Sequence, residues 1–168
     1  MAMKIDILKA ACEERIRKVH AICNEHFNMQ FRQPVIDYSL TGRIAGKAII
    51  SENKIKLNLQ LLIENEDKFI LDTPGHEAAH LISRQAYGWH IRSHGVEWAR
   101  VMGLINQPAI RCHNFEIKTN YEYICKCPNS VVYLSACRHH RFISGKAVYR
   151  CKFCKAELIW KKLEPQTI

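Results

Sequence analysis

The sequence predicts an α+β fold: a long N-terminal helix and a small antiparallel sheet packed on a second helical region, followed by a small cysteine-rich β ribbon. Three observations predict it. Apolar residues recur at steps of three and four over residues 3–28, the spacing of one face of a helix. The pattern switches to alternation between residues 36 and 59, then returns to helical spacing up to residue 87. Beyond Asn120 helical spacing stops, and six of the eight cysteines fall between Cys112 and Cys154.

In the first segment Ile5, Leu8, Cys12, Ile16, Val19, Cys23 and Phe27 form the apolar stripe, with Glu13, Glu14, Arg17 and Lys18 facing away. That spacing makes Cys12 and Cys23 small core residues rather than metal ligands. Pro34 closes the region. Ile36, Tyr38 and Leu40 then alternate with Asp37 and Ser39, a second run spans 44–50 after Thr41-Gly42, and Ile55, Leu57 and Leu59 alternate with Lys54, Lys56 and Asn58. Three short strands joined by tight turns predict an antiparallel meander. Residues 59–71 are helical around the polar cluster Glu64-Asn65-Glu66-Asp67, and 72–87 are helical up to Gly88. Thr73 and Pro74 suit an N-cap and first helical position, although Pro74 could equally kink a helix begun near Asp67. One more helix is expected over 96–105, before Pro108; after Asn120 only short β-like runs remain, at 131–134 and 147–149.

Length and composition narrow the function. A chain of 168 residues suits one main domain with a small appendage, and 48% apolar with 24% charged residues is ordinary for a globular protein. No apolar stretch is long enough to span a membrane, and Met-Ala-Met-Lys-Ile-Asp has neither an apolar core nor a small-residue cleavage site. The expected compartment is the cytoplasm, so the eight cysteines read as thiols or metal ligands rather than disulfides. Charge is uneven. Residues 1–83 carry 11 basic and 11 acidic side chains, whereas 84–168 carry 14 basic and five acidic, which accounts for the whole net charge of +9.

Within the second helical region lies His76-Glu77-Ala78-Ala79-His80. Histidines at i and i+4 project from one helix face close enough to share a tetrahedral zinc ion, and the intervening glutamate can act as general base on a water at that zinc. A catalytic zinc also needs a third protein ligand and an open position. Ala86 stands where the metzincin spacing requires histidine, which excludes that class. His90, His94 and Glu97 remain as candidates; His94, followed by Gly95, sits in a turn before the next helix.

A second set of donors follows. Cys125-Lys126-Cys127 and Cys151-Lys152-Phe153-Cys154 are two close thiol pairs, the makings of a tetrahedral structural zinc held between two turns. The first pair is tighter than the usual Cys-x-x-Cys, so Cys137, His139 or His140 could replace one member; Cys112 reads as an incidental thiol. Residues 121–162 carry nine basic and two acidic side chains, and Tyr123, Tyr133, Phe142, Tyr149, Phe153 and Trp160 alternate with Arg138, Arg141, Lys146 and Arg150. Such a surface can grip phosphates and stack on bases, with single-stranded DNA favoured.

The His76–His80 motif, then His94-Gly95-Val96-Glu97-Trp98, then the late cysteine pairs, resemble the SprT family of zinc metallopeptidase-like proteins. Ile44-Ala45-Gly46-Lys47-Ala48 and Ile55-Lys56-Leu57-Asn58 look like that family's strands before the active helix, and residues 139–149, with Gly145, look like its ribbon hairpin. The resemblance covers roughly residues 35–160 and implies a minimal zincin-like domain followed by a zinc ribbon, with His94 as the third ligand beside His76 and His80. It also implies proximity to nucleic acid, since the eukaryotic relative Spartan cleaves proteins crosslinked to DNA. Gly75 departs from the pattern and is expected to loosen the start of the active helix.

The expected organisation is a metallopeptidase domain over 1–120, a zinc ribbon over 121–162 and a tail over 163–168. The expected function is peptide hydrolysis with Glu77 as base, one catalytic and one structural Zn²⁺, a protein substrate, a nucleic-acid partner and no membrane. A nucleic-acid-binding regulator keeping a zincin shell without turnover is the alternative, weakened by the intact Glu77. Zinc hydrolysis of a non-peptide amide would use the same groups. Tyr87 and His90 are positional candidates for oxyanion stabilisation, and the oligomeric state is not legible.

Overall fold

The computed structural model describes residues 2–111, 115, 120–128 and 131–161, so Cys112 and the tail lie outside the described residues. The chain divides into two compact units, residues 1–116 and 117–168.

In the first unit, helix α1 (Ala2–Phe27) leads to strands β1 (Val35–Asp37), β2 (Gly46–Ile49) and β3 (Lys54–Leu57), then to helices α2 (Leu59–Tyr87) and α3 (Val96–Leu104). The stripe of α1 behaves as its spacing predicts: Leu8, Cys12, Ile16, Val19 and Cys23 are buried. Burial pushes the Cys12 thiol up to about 12 and Cys23 to about 11, so both stay protonated core groups. β3 is the central strand and buries Ile55 and Leu57 completely.

The sheet is not a meander. Its order is β1-β3-β2, with β1 parallel and β2 antiparallel to β3. Two asparagines explain the difference. Asn53, left-handed at φ 46°, closes the β2–β3 turn; its side chain donates to the Gln33 carbonyl at 2.9 Å and its own carbonyl accepts from Val35 N at 3.1 Å. This docks the start of β1 beside the start of β3. Asn58, fully buried, caps α2 by accepting from the Gln60 and Leu61 amides, and its side-chain amide donates to the Gly42 and Ile44 carbonyls, both at 3.0 Å. The segment after β1 is thereby carried across β3 to its far edge.

α2 is one long element broken at Glu66, whose backbone sits at φ 26°, ψ −106°. Beyond that break the helix runs through Pro74 without restarting, so Thr73 and Pro74 are interior and buried rather than a cap. Pro74 denies the Ile70 carbonyl its donor, and the Gln107 side-chain amide supplies hydrogen bonds to the adjacent Leu71 and Asp72 carbonyls. Gly75 makes room for that amide: a Cβ there would stand 2.0 Å from Gln107 Oε1. The glycine expected to loosen the helix instead lets Gln107 close over its proline.

The second unit holds β4 (Asn120–Ile124), β5 (Val131–Ser135), helix α4 (Ala136–Ile143) and β6 (Ile159–Trp160), with sheet order β5-β4-β6, antiparallel throughout. Tyr121, Tyr123, Leu134, Cys151 and Leu158 form its core. α4 corrects two expectations: helical structure does occur after Asn120, and residues 139–143 belong to a helix rather than a hairpin. Its inner face is made of His139, His140 and Ile143, so histidines stand where a periodicity search looks for apolar side chains. The 147–149 run is not a strand.

His20 on α1 is fully buried, and burial holds its imidazole below its ordinary pKa. The unfolded chain therefore takes up this proton first. Stability should be intact above about pH 6.5 and fall below it, by at most about 1.4 kcal/mol per pH unit from this group. The difference between wild type and His20→Leu in urea unfolding at pH 5 to 8 checks this; parallel curves would rule it out.

Candidate metal centres

Three imidazoles converge in the first unit. His76 and His80 lie one turn apart on α2, and the 88–95 turn brings His94 back to them. The Nε2 atom of His76 lies 3.2 Å from that of His80 and 3.2 Å from that of His94. Nitrogen lone pairs at this spacing repel unless a cation or proton sits among them. Zn–N bonds of about 2.0–2.1 Å at tetrahedral angles place donors about 3.4 Å apart, so the set fits zinc. Burial, reinforced by His76 and His94, pushes His80 down to about 3. Burial, with help from Arg111, also lowers His94. Both shifts favour the neutral ring, the form that binds a metal. His90 and Glu97 do not join the cluster.

Trp98 organises the rings. Fully packed at the start of α3, it stacks on His80 at 5.4 Å and meets His76 and His94 edgewise at 4.9 and 4.7 Å. The His80 ring also donates a hydrogen bond to the Ser93 backbone carbonyl, which further fixes its orientation. The His-Gly-x-x-Trp pattern shows this tryptophan in the sequence, but its role follows only from the stack.

Glu77 points from α2 toward β2 and is 7% exposed. Its carboxylate accepts from the Ala48 amide at 2.7 Å. Burial raises the carboxyl to about 7, opposed by that hydrogen bond. Gly46 permits the approach: a Cβ there would stand 2.6 Å from Thr73 Cγ2 and 2.7 Å from Glu77 Cγ. His76, Glu77, His80 and His94 line one cleft of about 650 Å³, bordered by residues 43–48 and by Gln107, Pro108, Ile110 and Arg111. Tyr87 and His90 do not line it, and Tyr87 instead packs edgewise on Phe27 at 5.7 Å. No sequence signal marked Ala48 as a partner of Glu77, since a backbone amide acts irrespective of its side chain.

In the second unit Cys125, Cys127, Cys151 and Cys154 gather with all sulfurs within 4.8 Å of one another. Cys127 Sγ and Cys151 Sγ are 3.9 Å apart, against about 3.8 Å for neighbouring thiolates on tetrahedral zinc. Residues 151–155 form a tight knuckle, with Lys155 left-handed at φ 59° and its amide donating to the Cys151 carbonyl at 3.1 Å. The Ala156 amide draws the Cys154 thiol down to about 6, while Cys154 and Cys125 push Cys127 up to about 12. Cys137 is exposed on α4, His139 pairs with the Tyr123 hydroxyl at 2.9 Å, and neither they nor His140 join the sulfurs.

The expected nucleic-acid contacts are all exposed: Arg138 and Arg141 on α4, then Lys146 and Arg150, the last paired with Glu157 at 3.5 Å. Tyr133 and Phe153 are exposed, Phe142 and Trp160 pack on the unit's core, and Tyr123 is fully buried.

The α+β chain thus carries two candidate metal-binding sites among its described residues, one of three histidines and one of four cysteines. The SprT-like family model matches residues 16–121. Protein SprT of Vibrio atlanticus is 42% identical over 149 residues, covering 86% of this chain and 88% of that protein. Protein SprT of Pasteurella multocida is 38% identical over 157 residues (90% and 93%), and that of Pseudomonas putida strain GB-1 is 37% identical over 153 (88% and 93%). The chain belongs to the SprT-like family. No solved structure matches it, and no helix among the described residues is long and apolar enough to cross a membrane.

The β2–α2 contact predicts opposite outcomes at two glycines. Gly46→Ala should cost about 1–3 kcal/mol in denaturant unfolding of the metal-free protein through overpacking against Thr73 and Glu77. Gly103→Ala, in α3 with nothing within 4 Å, should stabilise by up to about 1 kcal/mol. Equal effects at the two sites would contradict the close approach.

Proposed function

We propose that the chain is a zinc-dependent peptidase whose first unit, a minimal zincin-like domain, hydrolyses peptide bonds with Glu77 as the general base. The observation that carries this is a buried carboxylate, raised toward neutrality, beside three converging imidazoles in an open cleft. His76, His80 and His94 would hold the metal. When bound there, zinc polarises a carbonyl and acidifies water. Glu77 takes the proton of the attacking water and later passes it to the leaving amine, and a carboxyl titrating near neutrality can do both. The Ala48 amide fixes one carboxylate oxygen, leaving the other for proton transfer.

Glu77→Gln, nearly isosteric but unable to take a proton, should keep zinc at the histidines and lose hydrolysis of an unstructured protein by at least about 100-fold. Retained hydrolysis in metal-replete variant would rule out the base. Zinc-loaded wild type that binds nucleic acid yet leaves every peptide intact would instead fit a regulator.

The second unit we read as a structural zinc ribbon that binds nucleic acid, single strands preferentially. Arg138, Arg141 and Lys146 form no ion pair among the described residues, and exposed Tyr133 and Phe153 offer stacking faces. Replacing the three cations by Gln should weaken binding to an oligonucleotide and shallow the log–log salt slope by about 2–3. Unchanged affinity would return them to a solvated face. Metal-binding thiols suit a reducing compartment, which supports a cytoplasmic location.

A further inference from the structure

The charge around the histidine cleft differs from that of the unit that forms it. Residues 1–116 carry fifteen basic and thirteen acidic side chains, close to balance. Among those lining the cleft, Arg43, Lys47, Lys68, Arg84 and Arg111 are basic, and only Asp72 and Glu77 are acidic. Arg84 is engaged by the Trp89 carbonyl, and Lys68 lies 5.6 Å over the Phe115 ring. Arg43, Lys47 and Arg111 are exposed and form no ion pair among the described residues.

Their positions matter more than their number. Lys47 lies between Gly46, which abuts Thr73 and Glu77, and Ala48, which donates to Glu77. Arg111 lines the same cleft as His94, on the wall it forms with Gln107, Pro108 and Ile110. Arg43 and Arg111 each adjoin an exposed isoleucine that also lines the cleft, Ile44 at 57% and Ile110 at 61% exposure. Apolar walls exclude water and focus the field of nearby cations, so charges in a concave site act more strongly than on a convex surface.

We propose that the cleft selects peptide segments in which acidic side chains flank the scissile bond, with Arg43, Lys47 and Arg111 as the residues that read them and Ile44 and Ile110 as contacts for neighbouring apolar side chains. The inference rests on the peptidase reading of the same cleft. A peptide suits these features better than a nucleic acid strand does, because Arg43 and Arg111 each stand beside an exposed isoleucine, whereas a strand presents a phosphate at every step.

The test uses the full zinc-loaded chain and quenched peptides that differ only in carrying Glu, Gln or Lys on both sides of the cleaved bond. Expected kcat/KM falls in the order Glu, Gln, Lys, with about tenfold or more between the extremes at low ionic strength and a smaller spread in high salt. Replacing Arg43, Lys47 and Arg111 by Gln should collapse the spread, and replacing them by Glu should invert it. Hydrolysis with no dependence on peptide charge would overturn the proposal and leave the peptidase reading standing. Anisotropy of the same peptides, labelled, on Glu77→Gln protein gives an independent readout. Charge-ordered binding there that the Gln triple variant abolishes supports the proposal even if wild type hydrolyses nothing, an outcome that would sink the peptidase reading alone. A single-stranded oligonucleotide that displaces the peptide, and loses affinity itself in the cleft variant, would make nucleic acid the occupant and overturn the proposal.

Discussion

The close approach of β2 to α2 is the contact on which the site depends. Gly46 has no side chain, so the strand edge can lie against Thr73 and Glu77, and the Ala48 amide reaches the buried carboxylate at 2.7 Å. That contact does two things at once. It supplies a donor to a group whose burial would otherwise be severely unfavourable, and it turns the carboxylate toward the cleft that the histidines share. The strand is held at the far edge of the sheet by Asn58, whose one side chain caps α2 and binds the loop ahead of β2. Strand edge and histidine-bearing helix are therefore positioned by the same buried amide.

The other side of the helix is fixed differently. Pro74 opens the backbone hydrogen bonding of α2 two residues ahead of His76, and Gln107 binds the adjacent Leu71 and Asp72 carbonyls through the space Gly75 leaves. Trp98 then packs against all three imidazoles from α3, so the rings keep their geometry through contacts that need no metal. Such preorganisation limits what metal binding must reorder. In the second unit the hydrophobic core is small, and the four thiols at its edge are placed to complete it.

Much of this was legible in the sequence, for identifiable reasons. The α1 stripe, the helical placement of His76, Glu77 and His80, and the paired cysteines depend on local spacing, which a chain displays directly. His94 was one of three candidates by spacing and was singled out only by the resemblance to the SprT family; the folded turn brings it within 3.2 Å of His76. The misread features depend on long-range or backbone contacts. Parallel pairing of β1 follows from the side chain of Asn53 reaching back twenty residues to Gln33. The helix after Asn120 escaped because its buried positions are histidines, and Gly75 looked like a weakness because Gln107, its partner, is remote in sequence.

On the proposed reading, one chain carries a nitrogen-rich and a sulfur-only metal centre that share no ligand. Zinc-edge X-ray absorption on fully loaded protein, with the metal content measured on the same sample, tests it most directly. Two zinc ions per chain are expected, with an averaged shell split about equally between sulfur at about 2.3 Å and nitrogen or oxygen at about 2.0–2.1 Å. One zinc per chain, or a shell of sulfur alone, would contradict it.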